Sequence, residues 1–278
     1  MITGDSLTWN HLLTVKPFLI FGILNVTPDS FSDGGAYQNQ ENIGEQITQL
    51  FGDGADVVDV GAESTRPGAV EVKSEVELKR LEPVFNLIDP QGGRNLFSID
   101  TRHADTAQIA FENGFQIIND VSGANYDPKM REVMSECKSL VIVMHSRGTP
   151  QTMNSMSNYD DVVFDVTKEL EQSCSKLVEA GVDPKKIMVD PGIGFAKTPE
   201  QGLKILDSLG QIKSDLGYPM LVGVSRKTVT SYVLTRDPQK VPYEQRDHVS
   251  AEIALRIREQ GIDAIRVHNV AKTVELLQ

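Results

Sequence analysis

The chain repeats one unit eight times: a short apolar, β-branched run, then a longer segment of helical periodicity. The runs are "LIFGILN" (19–25), "VVDVG" (57–61), "LFSID" (96–100), "QIINDV" (116–121), "LVIVM" (140–144), "IMVDPG" (187–192), "MLVGVS" (220–225) and "AIRVH" (264–268). Helical segments such as 74–88, 159–181 and 248–261 lie between them. Near-continuous apolar strands, each followed by an amphipathic helix, require a parallel sheet covered by helices. The units recur about every 35 residues, the length of a β/α unit with its loops. Eight of them predict an α/β fold: a single (β/α)8 TIM barrel over 18–278, with extended βα loops after strands 1 and 2. Residues 1–17 read as an N-terminal extension. A doubly wound open sheet is the competing architecture. It needs a Gly-rich phosphate fingerprint after the first strand, and "GILNVTPDS" is not one.

Composition excludes several classes of partner. A net charge of −12 argues against non-specific nucleic-acid binding. No apolar run reaches the length of a membrane span. The N-terminus lacks a basic stretch followed by an apolar one, so no signal peptide is expected. Two distant cysteines, Cys137 and Cys174, form neither a disulfide framework nor a metal cluster, which fits a cytoplasmic location.

Each strand is apolar until its C-terminal end, where a polar residue stands. The set is Asn25, Gly61 with Glu63 and Thr65 beyond it, Asp100, Asn119, His145, Asp190, Ser225 with Lys227, and Arg266 with His268. One Asp or Asn after a strand is ordinarily a turn former or a helix cap. Eight of them converge on the face where barrels build their active sites, and they require each other, water or a ligand as partners. In "AIRVH" the two-residue period puts Arg266 and His268 on one face and Ile265 and Val267 on the other. The first pair would form an anion site in the mouth, or ion pairs with strand-end carboxylates. Asp100, Asp190 and Asn119 form a wall of acceptors. It suits a flat heterocycle with amino and ring N–H groups, a divalent metal, or paired general acid and base. The residues alone leave these three open. Among catalytic motifs, G-x-S-x-G, a P-loop and H-E-x-x-H are all absent.

The segments "GILNVTPDSFSDGG", "VVDVGAESTRPGA", "SIDT", "INDVSG", "MHSRGTPQTM", "DPGIGFAKT", "GVSRKT" and "RVHNV" occur in this order, one per strand end. Together they closely resemble the dihydropteroate synthase family, the sulfonamide-inhibited transferases of folate biosynthesis. The resemblance runs from about Phe21 to Val270. It implies a TIM barrel and a transferase that needs Mg2+. That enzyme joins 6-hydroxymethyl-7,8-dihydropterin diphosphate to para-aminobenzoate by an SN1-like displacement, giving 7,8-dihydropteroate and diphosphate. It further implies that Asp100, Asn119 and Asp190 hold the pterin, with Lys227 near its carbonyl and Thr65 lining the pocket. Arg266 and His268 would hold the diphosphate and Asn25 would help place the metal. Phe31, Arg66, Pro67, Phe195, Ser225 and Thr228 would border para-aminobenzoate. Asp100, Lys227, Arg266 and His268 would carry the chemistry, and the family implies a homodimer.

Four positions depart from the family pattern: Thr228 where serine is usual, His248 and Val249 where small residues are usual, and Gly202 in place of asparagine. A pterin-binding methyltransferase barrel, or a non-enzymatic pterin-binding paralogue, is the alternative. The first has no need of "SFSDGG", "STRPG", "SRK" and "RVH"; the second would tolerate loss of Lys227, Arg266 or His268. All are present. The loop from Val26 to Gly35 reads as a lid that closes Phe31 over an aromatic substrate.

Overall fold

The computed structural model of the chain describes residues 7–27, 36–66, 68–89, 95–235 and 241–278. Eight parallel strands form where the apolar runs predict them. They are β1 (Leu19–Asn25), β2 (Val57–Gly61), β3 (Leu96–Asp100), β4 (Ile117–Asp120), β5 (Leu140–Met144), β6 (Ile187–Asp190), β7 (Leu221–Gly223) and β8 (Ala264–Val267). They pair in the order β6-β5-β4-β3-β2-β1-β8-β7. Among the described residues, β6 and β7 meet through one bridge, Val189 to Met220, beside a 2.9 Å hydrogen bond from Val189 N–H to Pro219 O.

Helix α1 (Trp9–Val15) precedes the barrel. Then α2 (Ala36–Gly52), α3 (Ser74–Phe85), α4 (Ala104–Glu112), α5 (Met130–Cys137) and α6 (Val162–Glu179) follow β1 to β5 in turn. Two helices follow β6, α7 (Pro199–Asp207) and α8 (Leu209–Leu216), and two follow β7, α9 (Thr228–Leu234) and α10 (Tyr243–Glu259). Helix α11 (Val270–Leu277) follows β8. The sequence places the start of α10 at His248, but the helix begins at Tyr243. Its first turns, "YEQRD", are polar and carry no apolar period to read.

Alternate strand residues divide between two apolar layers. Ile20, Leu24, Val58, Val60, Ile265 and Val267 pack outward in the core shared with the helices. Leu19, Phe21, Val57, Ile117, Ile142, Met188, Leu221 and Ala264 fill the barrel itself, together with Trp9. Trp9, in the segment read as an extension, is fully buried, with its ring centroid 6.4 Å from that of Phe21. Its indole N–H donates to Lys186 O at 2.8 Å and to Val141 O at 3.3 Å, at the N-terminal ends of β6 and β5. Helix α1 therefore stoppers the lower end, and the polar strand ends face the open one.

Outside the barrel, α3 buries Glu77 against the start of α4. Its Oε2 accepts from Thr101 (3.0 Å) and Thr106 (2.7 Å), while Oε1 has no partner among the described residues. Burial pushes its pKa up to about 7, although both hydroxyls pull the other way. From about pH 4.5 to about 7 the folded protein holds a proton that the unfolded chain has released. Stability from this group is therefore full below that window and falls as pH rises through it. Glu77→Gln mimics the protonated acid. It is expected to stabilise the protein by roughly 1–3 kcal/mol near pH 8 and to change little near pH 5. Calorimetric melts at the two pH values check this, and equal shifts at both would refute it.

Candidate active site

Arg266, on the inner face of β8, sits between two carboxylates. Its Nε donates to Asp59 Oδ2, and its Nη2 donates to Asp100 Oδ2 at 2.6 Å. Asp59 is fully buried and also receives the Asn119 amide, Nδ2 to Oδ2 at 3.2 Å. The barrel floor beneath the mouth is thus an Asp59–Arg266–Asp100 triad tied to Asn119. The guanidinium is gripped along its Nε–Nη2 edge, which leaves the Nη1 hydrogens with no hydrogen bond among the described residues. The sequence reading did not single out Asp59. The available signal was one charged residue inside "VVDVG", in step with Val57 and therefore pointing inward.

The electrostatics follow from burial. Burial works against the Arg266 cation, but Asp59 and Asp100 outweigh it and hold its pKa above the ordinary value. Burial pushes Asp100 up to about 7 against the pull of Arg266, and the charge of Asp59 adds to the rise. Burial likewise raises Asp190, opposed chiefly by Lys227. Lys227 is brought down to about 8 by burial, opposed by Asp190. Its Nζ donates to Ile193 O at 2.7 Å and stands 4.6 Å from the centroid of the half-buried Phe195 ring. Gly223 lies beside both groups: a Cβ on it would make ordinary contact, 3.6 Å, with Asp190 Oδ2 and with Lys227 Nζ.

His268 is held against Ser225. Its backbone N–H donates to Ser225 Oγ at 3.1 Å, and the same oxygen lies 3.0 Å from Nδ1. With the hydroxyl proton assigned to Nδ1, Nε2 carries the ring hydrogen; the Ser225 oxygen, with two lone pairs, does not by itself force that choice. Burial, helped by Arg226 and Arg266, lowers the pKa to about 3 and keeps the ring neutral. The histidine is therefore a neutral N–H donor beside the Arg266 cation.

The structure brings Asp100, Asn119, Asp190, Lys227, Arg266, His268, Ser225 and Phe195 to one end of the barrel, with Asp59 added. Asn25 is the half-buried last residue of β1, in register with Gly61. Thr65 is half-buried and Arg66 exposed in the loop after β2. Glu63 holds that loop at both ends, pairing with Arg102 at 2.7 and 2.9 Å and accepting the Val72 amide at 2.9 Å. Thr228 is exposed at the first position of α9. Phe31 and Pro67, and with them the lid, lie outside the described residues. Of the departures, Val249 is buried in α10, His248 lies 3.4 Å from Glu252 one turn on, and Gly202 is buried in α7.

A second polar cluster backs the mouth. Lys197 Nζ lies 2.8 Å from His145 Nδ1, and His145 Nε2 lies 3.0 Å from Glu169 Oε2. Arg147 pairs with the same carboxylate. Only His145 of the four was singled out as a strand-end residue. Lys197, Glu169 and Arg147 carry no strand-end signal in the sequence.

The sequence model of the family described as "Pterin binding enzyme" matches residues 21–268. A dihydropteroate synthase of Bacillus subtilis (strain 168) is 41% identical over 258 residues, covering 93% of this chain and 86% of that protein. A Xanthomonas albilineans dihydropteroate synthase solved with 4-aminobenzoic acid superposes with a TM-score of 0.84 at 34% identity, covering 93% of this chain and 90% of that one. The Xanthomonas albilineans enzyme in complex with 7,8-dihydropteroate gives a TM-score of 0.80 at 32% identity, with 93% and 90% covered.

Proposed function

This chain belongs to the pterin-binding enzyme family, among its dihydropteroate synthases, and from that premise we propose how its residues divide the work. The enzyme is a transferase of folate synthesis. It joins 6-hydroxymethyl-7,8-dihydropterin diphosphate to para-aminobenzoate and releases 7,8-dihydropteroate and diphosphate. The observation that carries the assignment of roles is the Asp59–Arg266–Asp100 triad, with Asn119 and Asp190 beside it in a buried mouth.

Asp190 presents a carboxylate edge to the amino and ring N–H groups of the pterin, a bidentate geometry. Asn119 and Lys227 supply an amide and a cation to the other ring edges. The remaining Nη1 hydrogens of Arg266 and the Nε2–H of His268 hold the diphosphate. As the C–O bond breaks, its electron pair leaves with the diphosphate and a methylene cation is left conjugated to the pterin. Asp100 and Asp59 lie beneath that cation and stabilise it electrostatically. The aromatic amine then donates its lone pair to the methylene carbon and releases a proton. No strong base is required. Phe195, Ser225, Thr228, Arg66, Phe31 and Pro67 are assigned to the aminobenzoate side and Thr65 to the pterin diphosphate, with Ser225 also contacting the His268 ring.

The donor set fits Mg2+ shared with the substrate. Among the described residues no group of three His, Cys, Asp or Glu is placed to hold a metal, and Mg2+ characteristically takes one or two protein ligands plus substrate phosphates. Asn25 offers an amide oxygen at the anion end of the mouth. Asn25 would hold Mg2+ there, and the ion would supply positive charge toward the leaving diphosphate. Among the described residues no helix is long and apolar enough to cross a membrane, and the free thiols of Cys137 and Cys174 fit a cytoplasmic location. Val233, Leu234 and Tyr243, each about half exposed on α9 and α10, offer an apolar face for a second copy in a homodimer.

Incubation with the pterin diphosphate, Mg2+ and para-aminobenzoate should give pteroate and diphosphate in equal amounts. Pteroate is followed by chromatography and diphosphate by a coupled assay. Diphosphate release without any aminobenzoate-dependent pteroate would refute the reading.

A further inference from the structure

The loop from Gly192 to Ala196 carries Phe195 to the mouth on an unusual backbone. Gly192, Gly194 and Ala196 all have positive φ, at 65°, 83° and 50°. Gly192 is irreplaceable on space alone: a Cβ would stand 1.9 Å from His145 O. Ala196 adopts the left-handed region against a cost of about 1–2 kcal/mol for a residue with a Cβ. Within the turn the Phe195 N–H donates to Gly192 O at 3.0 Å, and the buried carbonyls of Ile193 and Phe195 look to side-chain donors.

Two lysines supply those donors. Lys227 Nζ donates to Ile193 O at 2.7 Å. Lys197 Nζ, only 8% exposed as a residue, donates to Gly192 O and Phe195 O, both at 3.0 Å, and reaches His145 Nδ1 at 2.8 Å. An ammonium has three hydrogens, and these three acceptors lie nearer than a fourth, His145 O at 3.5 Å. The third contact fixes His145 as the neutral Nε2–H tautomer, whose hydrogen goes to Glu169. Burial and the charge of Lys197 lower His145 to about 4, while burial also brings the Lys197 ammonium well below its ordinary value, opposed chiefly by Asp190. Arg147 completes the row by pairing with Glu169. The backbone of Lys197 is held too, because Thr198 and Gln201 form a capping box that starts α7 immediately after it.

We infer that Lys197 is a positioning residue for the aromatic-amine substrate. It clamps the Gly192 and Phe195 carbonyls so that the Phe195 ring stands where para-aminobenzoate docks, and Glu169 holds it in register through His145. Lys197 itself touches no reacting atom. The inference rests on the assignment of Phe195 to the aminobenzoate side, and the controls separate the two.

Lys197→Met keeps the aliphatic stem and removes all three donors. A misplacement of about 1 Å far from the chemistry can cost on the order of 100-fold. We expect KM for para-aminobenzoate to rise about tenfold or more, with kcat falling less than about threefold and the Kd of the pterin diphosphate unchanged. Glu169→Gln, at the half-exposed rim, should raise the same KM about threefold and serves if the interior variant does not fold. Phe195→Ala is the reference. If it leaves KM for aminobenzoate unchanged, the assignment of Phe195 is wrong. If it raises KM while both Lys197→Met and Glu169→Gln leave KM unchanged, Lys197 does not position the loop. A fall in melting temperature with all kinetic constants per folded enzyme unchanged would reduce Lys197 to a structural role and overturn the inference.

Discussion

Arg266→Ala is expected to lose both turnover and stability, by large amounts and for separable reasons. The guanidinium is the only cation bonded to both Asp59 and Asp100 among the described residues. Truncating it leaves two carboxylates buried without it. Removing one partner of a buried pair costs about 3–5 kcal/mol, and for a domain approaching this size each kcal/mol lowers Tm by about 2–4 °C. Turnover should fall at least about 1,000-fold, because the anion of the transition state loses a pre-organised charged donor. A compensated variant parts the two effects. Asp59→Asn with Arg266→Met removes one carboxylate along with the cation, and should recover much of the lost Tm while leaving the enzyme inactive. Thermal melts and steady-state rates on both variants decide the matter. An unchanged Tm in Arg266→Ala would mean that the triad does not support the fold. Recovered turnover in the double variant would mean that Arg266 does not hold the anion.

Asp190→Asn should weaken pterin diphosphate binding about 1,000-fold or more while leaving the fold nearly intact. The native carboxylate accepts the Gly192 amide on Oδ1 at 2.7 Å, and an asparagine oxygen can keep that bond. The other oxygen becomes an NH2 that faces the N–H edge of the pterin, so an acceptor turns into an opposing donor. Sites built to bond a polar substrate edge discriminate by 10,000-fold or more when a partner is left unpaired, and the estimate here sits just below that range. The net loss of one negative charge also strands Lys227, whose nearest opposing carboxylate is Asp190. Calorimetric titration with the pterin diphosphate measures the effect. A loss under about tenfold would place the pterin edge elsewhere.

The strands were legible to within three residues, with β7 shortest against its run, because two signals coincide in them. Apolar runs fix the extent of each strand, and the polar residue that ends each run fixes its direction. The inward register of Arg266 followed from Ile265 and Val267 alone. The sequence left Arg266 as either an anion holder or an ion-pair partner. The structure shows the pairing, and the Nη1 hydrogens keep the other role available. Asp59 escaped because a lone acid inside a strand has no neighbouring polar residue to mark it. Lys197 and Glu169 lie far apart in sequence, and only the tertiary fold carries them to the two sides of His145. Helix α1 has one buried tryptophan in seven residues, too little apolar period to identify as a plug. Glu77 looked like an ordinary surface glutamate in a first helical turn, and only the packing of α4 buries it.

The barrel closes on one thin seam. Every other pair of neighbouring strands is zipped by a ladder of at least three registered residues, whereas β6 and β7 share one rung. Asp190 ends the strand on one side of that gap, and Lys227 follows the strand on the other. A pterin held by both, as proposed, would span the gap where backbone pairing is thinnest, like a clasp on a hoop. On that reading the contacts that select the ring would also fasten the barrel.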